Sequence, residues 1–437
     1  MVIPSRNGQS LLAAQLPGIV RELAMPPETS VSEAMAPEAR APEVKMREAK
    51  ASEMKSREVR ASETTASEAM APKVKVSEVK TPEAIVSEVI VVDNGSSDGT
   101  AEWLAAEWPR VEVEQSAEPL SFAAAVNRGI GRARYSHVCL LNNDMLLEPG
   151  FFRALRTAFD KVPDLFCATA QIRFPAGARR EETGKAVMAQ ACPDDFPIRC
   201  DEPVAGEDLT WVLYGSGGCS LYDAALLRSL GGMDEAYAPA YVEDLDVGYR
   251  AWQRGWPTVF VAGAVVEHRH RATTSRYYTE QQLAAVLETN YLRFLARAVA
   301  HGPLFRKLWN QAIGRLWRCK DRALRHAASL ALAGGQQELG NYPEERFLAL
   351  TCGEVAAFPG GGPPAESNAA GPLVTFAERL ETPAAAVLAC HCEVVLVRNG
   401  NELALRTAIE WTNRKWRARD KWAGKVPLRE PRLPGKT

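Results

Sequence analysis

Val89-Ile-Val-Val-Asp-Asn-Gly-Ser-Ser-Asp-Gly-Thr100 reads as a strand, a turn and the start of a helix within twelve residues. The apolar run Val89–Val92 has the composition of a parallel strand buried on both faces. Asn94-Gly95 and Asp98-Gly99 supply the φ > 0 positions of tight turns, and Thr100 can cap the helix that follows. Asp93 therefore stands at the carboxyl end of a strand, where open α/β sheets place their ligands. The arrangement returns one unit later in Leu140-Leu-Asn-Asn-Asp-Met145. Strands and helices alternate around these two points: a helix over 100–107, a strand at Val111–Val113, a helix through Ala123–Ala133, a strand at His137–Leu141 and a helix from Pro149 to Phe159. Such alternation predicts an α/β fold, with a mostly parallel central sheet and helices on both faces.

The chain has 437 residues, 46% of them hydrophobic, and a formal net charge of −2. That is ample for a sizeable core, and the near-neutral balance excludes a typical nucleic-acid-binding domain, which would be clearly basic. The nine cysteines include no CxxC pair, which suits reduced thiols better than a disulfide framework. Cys390-His391-Cys392 is a poor tetrahedral metal site without further partners. No run of about 18 apolar residues and no basic-then-apolar leader is found, so a cytoplasmic location is expected.

From Val31 to Ile90 the sequence falls into twelve pentapeptides, with Glu in the third place of eleven. A period of five advances about 140° per unit around an α-helix, so no single apolar face forms. Pro37, Pro42, Pro72 and Pro82 interrupt helical continuity as well. The tract is expected to be a solvated low-complexity insert.

Acidic residues cluster once more in Tyr241-Val-Glu-Asp-Leu-Asp-Val-Gly-Tyr-Arg-Ala251, with His268 following an apolar stretch, Pro257–Val266. Carboxylates at successive strand ends can hold a metal-bound diphosphate, and a further one can take a proton from a hydroxyl. Asp144, flanked by two amides, can bind Mg2+ or Mn2+. The alternative for the 243–246 cluster is a helix N-terminus carrying dipole-favoured acids.

The order Ile3-Pro-Ser-Arg-Asn7, VVDNGSSDGT, Asn127-Arg-Gly129, LLNNDMLLEPGF, Gly215-Ser-Gly-Gly-Cys-Ser220, Leu230-Gly-Gly-Met-Asp-Glu235 and VEDLDVGYR resembles the family 2 inverting glycosyltransferases, closest to their rhamnosyltransferase-like branch. The resemblance covers Met1–Leu23 and Val86 to about Ala300. It implies a GT-A-type nucleotide-diphospho-sugar transferase fold and a divalent metal cofactor, Mn2+ or Mg2+. It further implies transfer from a UDP- or dTDP-sugar to a glycan or lipid-linked acceptor. Asp244 falls where the family has its catalytic base, with Glu243 beside it. Pro4, Asn7, Asp93, Ser96, Asn127, Asn143 and Arg250 fall on the donor side, and Gly217, Gly218 and Asp246 on the acceptor side. Asp144 stands where the family's DxD motif ends, the motif here reading Asn142-Asn143-Asp144. His268 stands where the family often has a metal- or diphosphate-binding histidine, with His270 as a competing candidate. Arg250 and Arg271 are candidates to meet the departing diphosphate.

The division expected is a catalytic domain over 1–23 and 86–300, an insert over 24–85, a basic helical extension over 301–335 and a linker with a partial α/β segment over 336–437. In the extension, Leu304, Phe305, Leu308, Trp309, Ala312, Ile313, Leu316 and Trp317 form one stripe flanked by Arg306, Arg315 and other basic residues, along a helix expected to run from Leu304 to Leu324. The stripe either packs on the catalytic domain or lies on the inner face of a membrane. Further on, Gly360–Gly371 reads as a linker, Ala385–Cys390 and Glu393–Val397 as strands, Glu402 to Trp411 as a helix, and Lys415–Thr437 as a basic tail. Two rival functions remain at this level. A nucleotidyltransferase would need a Gly-rich, basic phosphate loop, of which Ser5–Ser10 is a poor version. A catalytically inactive sugar-nucleotide-binding scaffold would suit the short first strand, the inserted repeat and the NND motif.

Overall fold

β1 (Val2–Ser5), α1 (Gln9–Ala24) and β2 (Ile90–Asn94) make the first crossover unit, the two strands pairing in parallel with Val2 opposite Ile90 and Ser5 opposite Asp93. The structure, a computed structural model, describes residues 1–24, 86–175, 208–269, 276–318, 322–333, 340–352, 373–376, 394–397 and 404–407. The repeat up to residue 85, Cys390–Cys392, Ala385–Cys390, the Gly360–Gly371 linker, the basic tail, His270 and Arg271 lie outside these residues. All the described residues except Val86 belong to one unit, Met1–Ala24 with Ser87–Thr437.

The chain continues through α2 (Thr100–Glu107), β3 (Glu112–Ser116), α3 (Phe122–Arg132), β4 (His137–Leu141), β5 (Met145–Leu147), α4 (Phe151–Lys161) and β6 (Cys167–Arg173). β7 (Trp211–Val212), β8 (Cys219–Asp223), α5 (Ala224–Ser229), α6 (Glu243–Trp252) and β9 (Thr258–His268) follow. Eight strands run in the order β3-β2-β1-β4-β8-β6-β9-β5, and β7 pairs with β9. The β3-β2-β1-β4 half is parallel, as the alternation predicts. Beyond β4 the sheet is mixed rather than mostly parallel: β8 runs antiparallel to β4 and β6, and β5 and β7 run antiparallel to β9.

Alternate residues of the inner strands go to opposite faces. Val2, Ile90, Val92, Val138 and Leu140 pack with α3 and α5. Ile3, Val91, Cys139 and Leu141 pack with α1 and α4 on the other face. Period-two alternation thus buries the sheet on both sides, and polar side chains reach a common edge only past the strand ends.

Four helices succeed β9: α7 (Glu280–Ala298), α8 (Gly302–Arg318), α9 (Arg322–Ala333) and α10 (Glu344–Cys352). Of the helix expected over 304–324, residues 304–318 lie in α8 and 322–324 in α9, with 319–321 outside the described residues. Leu304, Phe305, Leu308, Trp309, Ala312, Ile313 and Leu316 are all buried, in one core cluster with residues of α7 and the sheet. Arg306 and Arg315 are buried too, Arg315 pairing with Glu288 of α7 at 2.5 Å. These seven residues of the stripe face inward and offer no apolar surface for a bilayer. No helix among the described residues is long and apolar enough to cross a membrane.

β10 (Leu373–Phe376), β11 (Val394–Val397) and β12 (Ala404–Thr407) form a second small sheet. The helix expected from Glu402 is corrected here. Ala404–Thr407 pairs antiparallel with β11, Leu405 opposite Leu396. So short an apolar run is ambiguous between helix and strand, and the available partner strand decides it.

Candidate active site

At the carboxyl ends of β1, β2 and β4 the sheet opens into a cleft of about 350 Å³. Its first wall starts where β1 ends. Asn7 takes a left-handed turn at φ 48°, its backbone N–H donating to Ser96 Oγ at 2.8 Å and its side-chain oxygen accepting from Ser97 N at 2.7 Å. Asp93, 4% exposed, accepts from Ser96 N at 3.2 Å. The Ile-Pro-Ser-Arg-Asn and Asp-Asn-Gly-Ser-Ser turns are thereby locked into one surface, as the parallel register of β1 and β2 requires.

The second wall is the turn between β4 and β5. Gln15 of α1 donates to the carbonyls of Asn142 and Met145 at 2.6 and 2.8 Å and fixes the turn from behind. Asn143 donates to Ser5 Oγ at 2.9 Å, and Asn142 N to Gly218 O at 2.8 Å. A Cβ on Gly218 would fall 2.3 Å from Asn142 Nδ2, so only glycine allows this approach. Met145 pairs with His268 across β5 and β9, which brings the neighbouring Asp144 to the histidine. Asp144 Oδ1 lies 3.5 Å from His268 Nε2.

That pair could give a divalent cation two of its ligands. Asp144 is 6% exposed, and its Oδ1 is buried with no hydrogen-bond partner among the described residues. A buried carboxylate oxygen left so is costly unless a cation meets it. No group of three or more His, Cys, Asp or Glu is gathered for a metal among the described residues. An ion here would rest on one oxygen and one nitrogen of the protein, its remaining positions going to phosphate and water, as Mg2+ and Mn2+ sites commonly arrange.

The third wall is the N-terminus of α6. Asp244 Oδ2 accepts from Gly217 N at 3.2 Å and its Oδ1 from Leu245 N at 2.8 Å. Glu243 is 5% exposed, and its Oε2 has no hydrogen-bond partner among the described residues. Burial, and then the adjacent Asp244, raise the Glu243 carboxyl to about 8. Burial also raises Asp244, but the backbone N–H groups of Gly217 and Leu245 oppose the shift by favouring its charged form. Both neighbouring acids are thus raised by burial, and only Asp244 has backbone N–H donors from Gly217 and Leu245 to favour its charged form.

Of the residues singled out in the sequence, Pro4, Asn143, Asp144, Gly217, Gly218, Glu243, Asp244 and His268 line this cleft. Asn7, Ser96 and Asp93 are not part of the lining; Asn7 bonds Ser96 and the lining Tyr277, and Ser96 N donates to Asp93. Asp246, Arg250 and Asn127 do not belong to it. Asp246 is fully buried on another face of α6, bonded to Arg250 at 2.7 Å and to the Tyr237 hydroxyl at 3.0 Å. Arg250 spends its other nitrogens on the carbonyls of Leu230 and Gly232, so it fastens a loop. Asn127 braces that same loop through Met233 N and O.

The cleft has residues that motif reading passed over. Arg6 lines it with its guanidinium 4.0 Å above the ring of Tyr277. Tyr277 accepts from Asn7 Nδ2 at 2.8 Å, and Arg276 donates to Asn7 O at 2.8 Å. Phe122 and Tyr241 form the apolar side next to Asp244. Arg6 was visible inside the first motif, whereas Tyr277 and Tyr278 carry no local pattern and meet the site only through tertiary packing.

The sheet thus carries an acidic turn after β4 and an acid pair opening α6 across one cleft. Residues 76–287 match the family described as "Glycosyltransferase like family 2". Over 234 residues it is 28% identical to N-acetylglucosaminyl-diphospho-decaprenol L-rhamnosyltransferase of Mycobacterium tuberculosis, covering 48% of this chain and 74% of that protein. Among solved structures, it is similar to TarS 1-349 of S. aureus in complex with UDP-GlcNAc, at 10% identity and a TM-score of 0.43, covering 81% of each chain. It is also similar to GalNAc-T7 with UDP, GalNAc and Mn2+, at 15% identity and a TM-score of 0.37. That match covers 48% of this chain and 41% of the other, so the chain spans less than half of GalNAc-T7.

Proposed function

We propose that the protein moves a sugar from a UDP- or dTDP-linked donor to a hydroxyl of a glycan or lipid-linked acceptor, with inversion and with Asp244 as general base. The observation that carries this reading is the placement of Asp244 at the N-terminus of α6, lining the same cleft as Asp144 and His268 and accepting from Gly217 N and Leu245 N. An acceptor hydroxyl is a weak nucleophile at neutral pH and needs a base within hydrogen-bond reach. Asp244 takes its proton as the acceptor oxygen bonds to the anomeric carbon. The bond from that carbon to the diphosphate oxygen breaks, and the electron pair leaves with the nucleotide. A single displacement of this kind inverts the anomeric centre.

Arg6 brings fixed positive charge to the side of the cleft where the diphosphate would lie. Asp144 and His268 would hold Mn2+ or Mg2+, and the bound ion would offset the charge of the departing diphosphate. Pro4, Asn7, Asp93, Ser96 and Asn143 would receive the nucleoside, and Gly217 and Gly218 would border the acceptor. The mycobacterial relative's name points to an N-acetylglucosaminyl-diphospho-lipid as the acceptor class, which would place the work at the cytoplasmic face of a membrane in cell-envelope assembly.

The test begins with melting curves in UDP, dTDP and GDP, with and without Mn2+, followed by transfer assays on an N-acetylglucosaminyl-diphospho-lipid. One diphosphate should raise the melting temperature, and more so with Mn2+. Asp244→Asn should bind that nucleotide normally yet lose about 10²–10⁴-fold in kcat. Near-normal turnover by this variant would move the base to Glu243. A nucleotide-induced shift with no transfer to the acceptor would favour the inactive sugar-nucleotide-binding scaffold, and failure of every nucleotide to bind would overturn both readings.

A further inference from the structure

The acid pair is preceded by a backbone that ordinary residues avoid. Tyr241 and Val242 have φ of 73° and 80°, and a β-branched residue in the left-handed region is a genuine outlier. Such conformations persist only where surrounding structure over-determines them. Here the determinant is one face of α7. Asn290, 1% exposed, donates through Nδ2 to the carbonyls of Tyr237 at 2.7 Å, Ala240 at 2.9 Å and Tyr241 at 3.1 Å. Arg293 donates to Ala236 O and to Asn290 Oδ1, both at 2.9 Å, which orients the amide. Arg297 pairs with Asp234 at 2.5 Å. Positions 290, 293 and 297 share one side of a helix. That side follows the segment 234–241 almost residue by residue up to the start of α6. All three positions lie beyond the family match, which ends at residue 287.

We propose that Asn290, oriented by Arg293, is a positioning residue for the reaction: it holds the left-handed Tyr241–Val242 pair so that Asp244 points into the cleft. The inference rests on Asp244 being the base. Asn290 touches neither donor nor acceptor side chains of the cleft, so its loss should alter the aim of the base and leave nucleotide binding alone. Misplacing a catalytic group by about 1 Å can cost roughly 100-fold in rate.

The experiment compares Asn290→Ser and Arg293→Met with Glu288→Gln. The last loosens the pairing of α7 with α8 through Arg315 and leaves the 234–241 segment untouched. Arg293 is only partly buried, so its variant should fold even if the substitution at 290 does not. Each folded protein is assayed for kcat, donor KM and the nucleotide-induced melting shift. Expected are a kcat about 10- to 100-fold lower in the Asn290 variant, a smaller fall in Arg293→Met, and donor KM within about threefold in both. Glu288→Gln should lose melting temperature but keep its kcat. Wild-type kcat in folded Asn290→Ser or Arg293→Met would overturn the proposal, as would a loss of donor binding in step with kcat. Asp244→Asn run in parallel separates the two readings. Its retained turnover would sink the assignment of the base, whereas a dead Asp244→Asn beside an unaffected Arg293→Met sinks the positioning role alone.

Discussion

Asp244 and Asp246 stand two positions apart, about 200° around a helix, so they cannot share a task. One opens onto the cleft, and the other is sealed against Arg250 and Tyr237. Reading the 243–246 acids as one cluster merged a catalytic candidate with a structural one, because linear spacing conceals which helix face a residue takes. Asp144 and His268 were legible for the opposite reason, each sitting at a strand end where direction is fixed. Glu243 allows a test by titration. Its carboxyl is raised from 4.5 to about 8, so the folded state holds a proton that the unfolded chain releases sooner. That contribution to stability is complete below about pH 4.5 and is lost as pH climbs through 8. Glu243→Gln cannot ionise, so chemical denaturation at a series of pH values should show its stability gaining on the wild type by about 3 kcal/mol between pH 5 and 8. Parallel pH profiles would refute the buried, protonated state. Asp144→Ala removes the carboxylate facing His268, and nucleotide binding should then become weaker and indifferent to Mn2+. A metal requirement that persists in calorimetric titrations would place the ion elsewhere.

Among the elements, helix 100–107 and strand 137–141 match their observed bounds. β12 was missed because four residues carry too little pattern to overrule a waiting partner strand. For α8 the stripe was plain, and only its destination was open. Trp309 and Phe305 are fully buried with ring centroids 5.4 Å apart. Trp309→Ala should therefore cost about 3–5 kcal/mol in denaturant unfolding, the usual penalty for emptying an aromatic site in a core. A helix whose tryptophan served a membrane would behave differently. Its substitution would leave folding stability nearly unchanged and reduce flotation with anionic vesicles.

At the scale of the molecule, the insertion of the repeat between α1 and β2 raises the question of what the sheet needs from it. β1, α1 and β2 already form a complete unit: all four residues of β1 pair with β2, and α1 buries Leu12, Leu16 and Ile19. Both cleft turns issue from these strands, and Asn7 and Ser96 bond directly across the junction. The register is thus held by contacts outside residues 25–85, and the repeat itself has no periodic apolar face to add to a core. The entropy of closing a loop grows only logarithmically with its length, so shortening this connection should change stability by about 1–2 kcal/mol at most. A chain lacking Val31–Ile85 should accordingly melt within a few degrees of the full protein and show the same nucleotide-induced shift. Collapse of that shift, or failure of the shortened chain to fold, would mean that the repeat helps to hold β1 against β2. The pentapeptides would then count as part of the donor site.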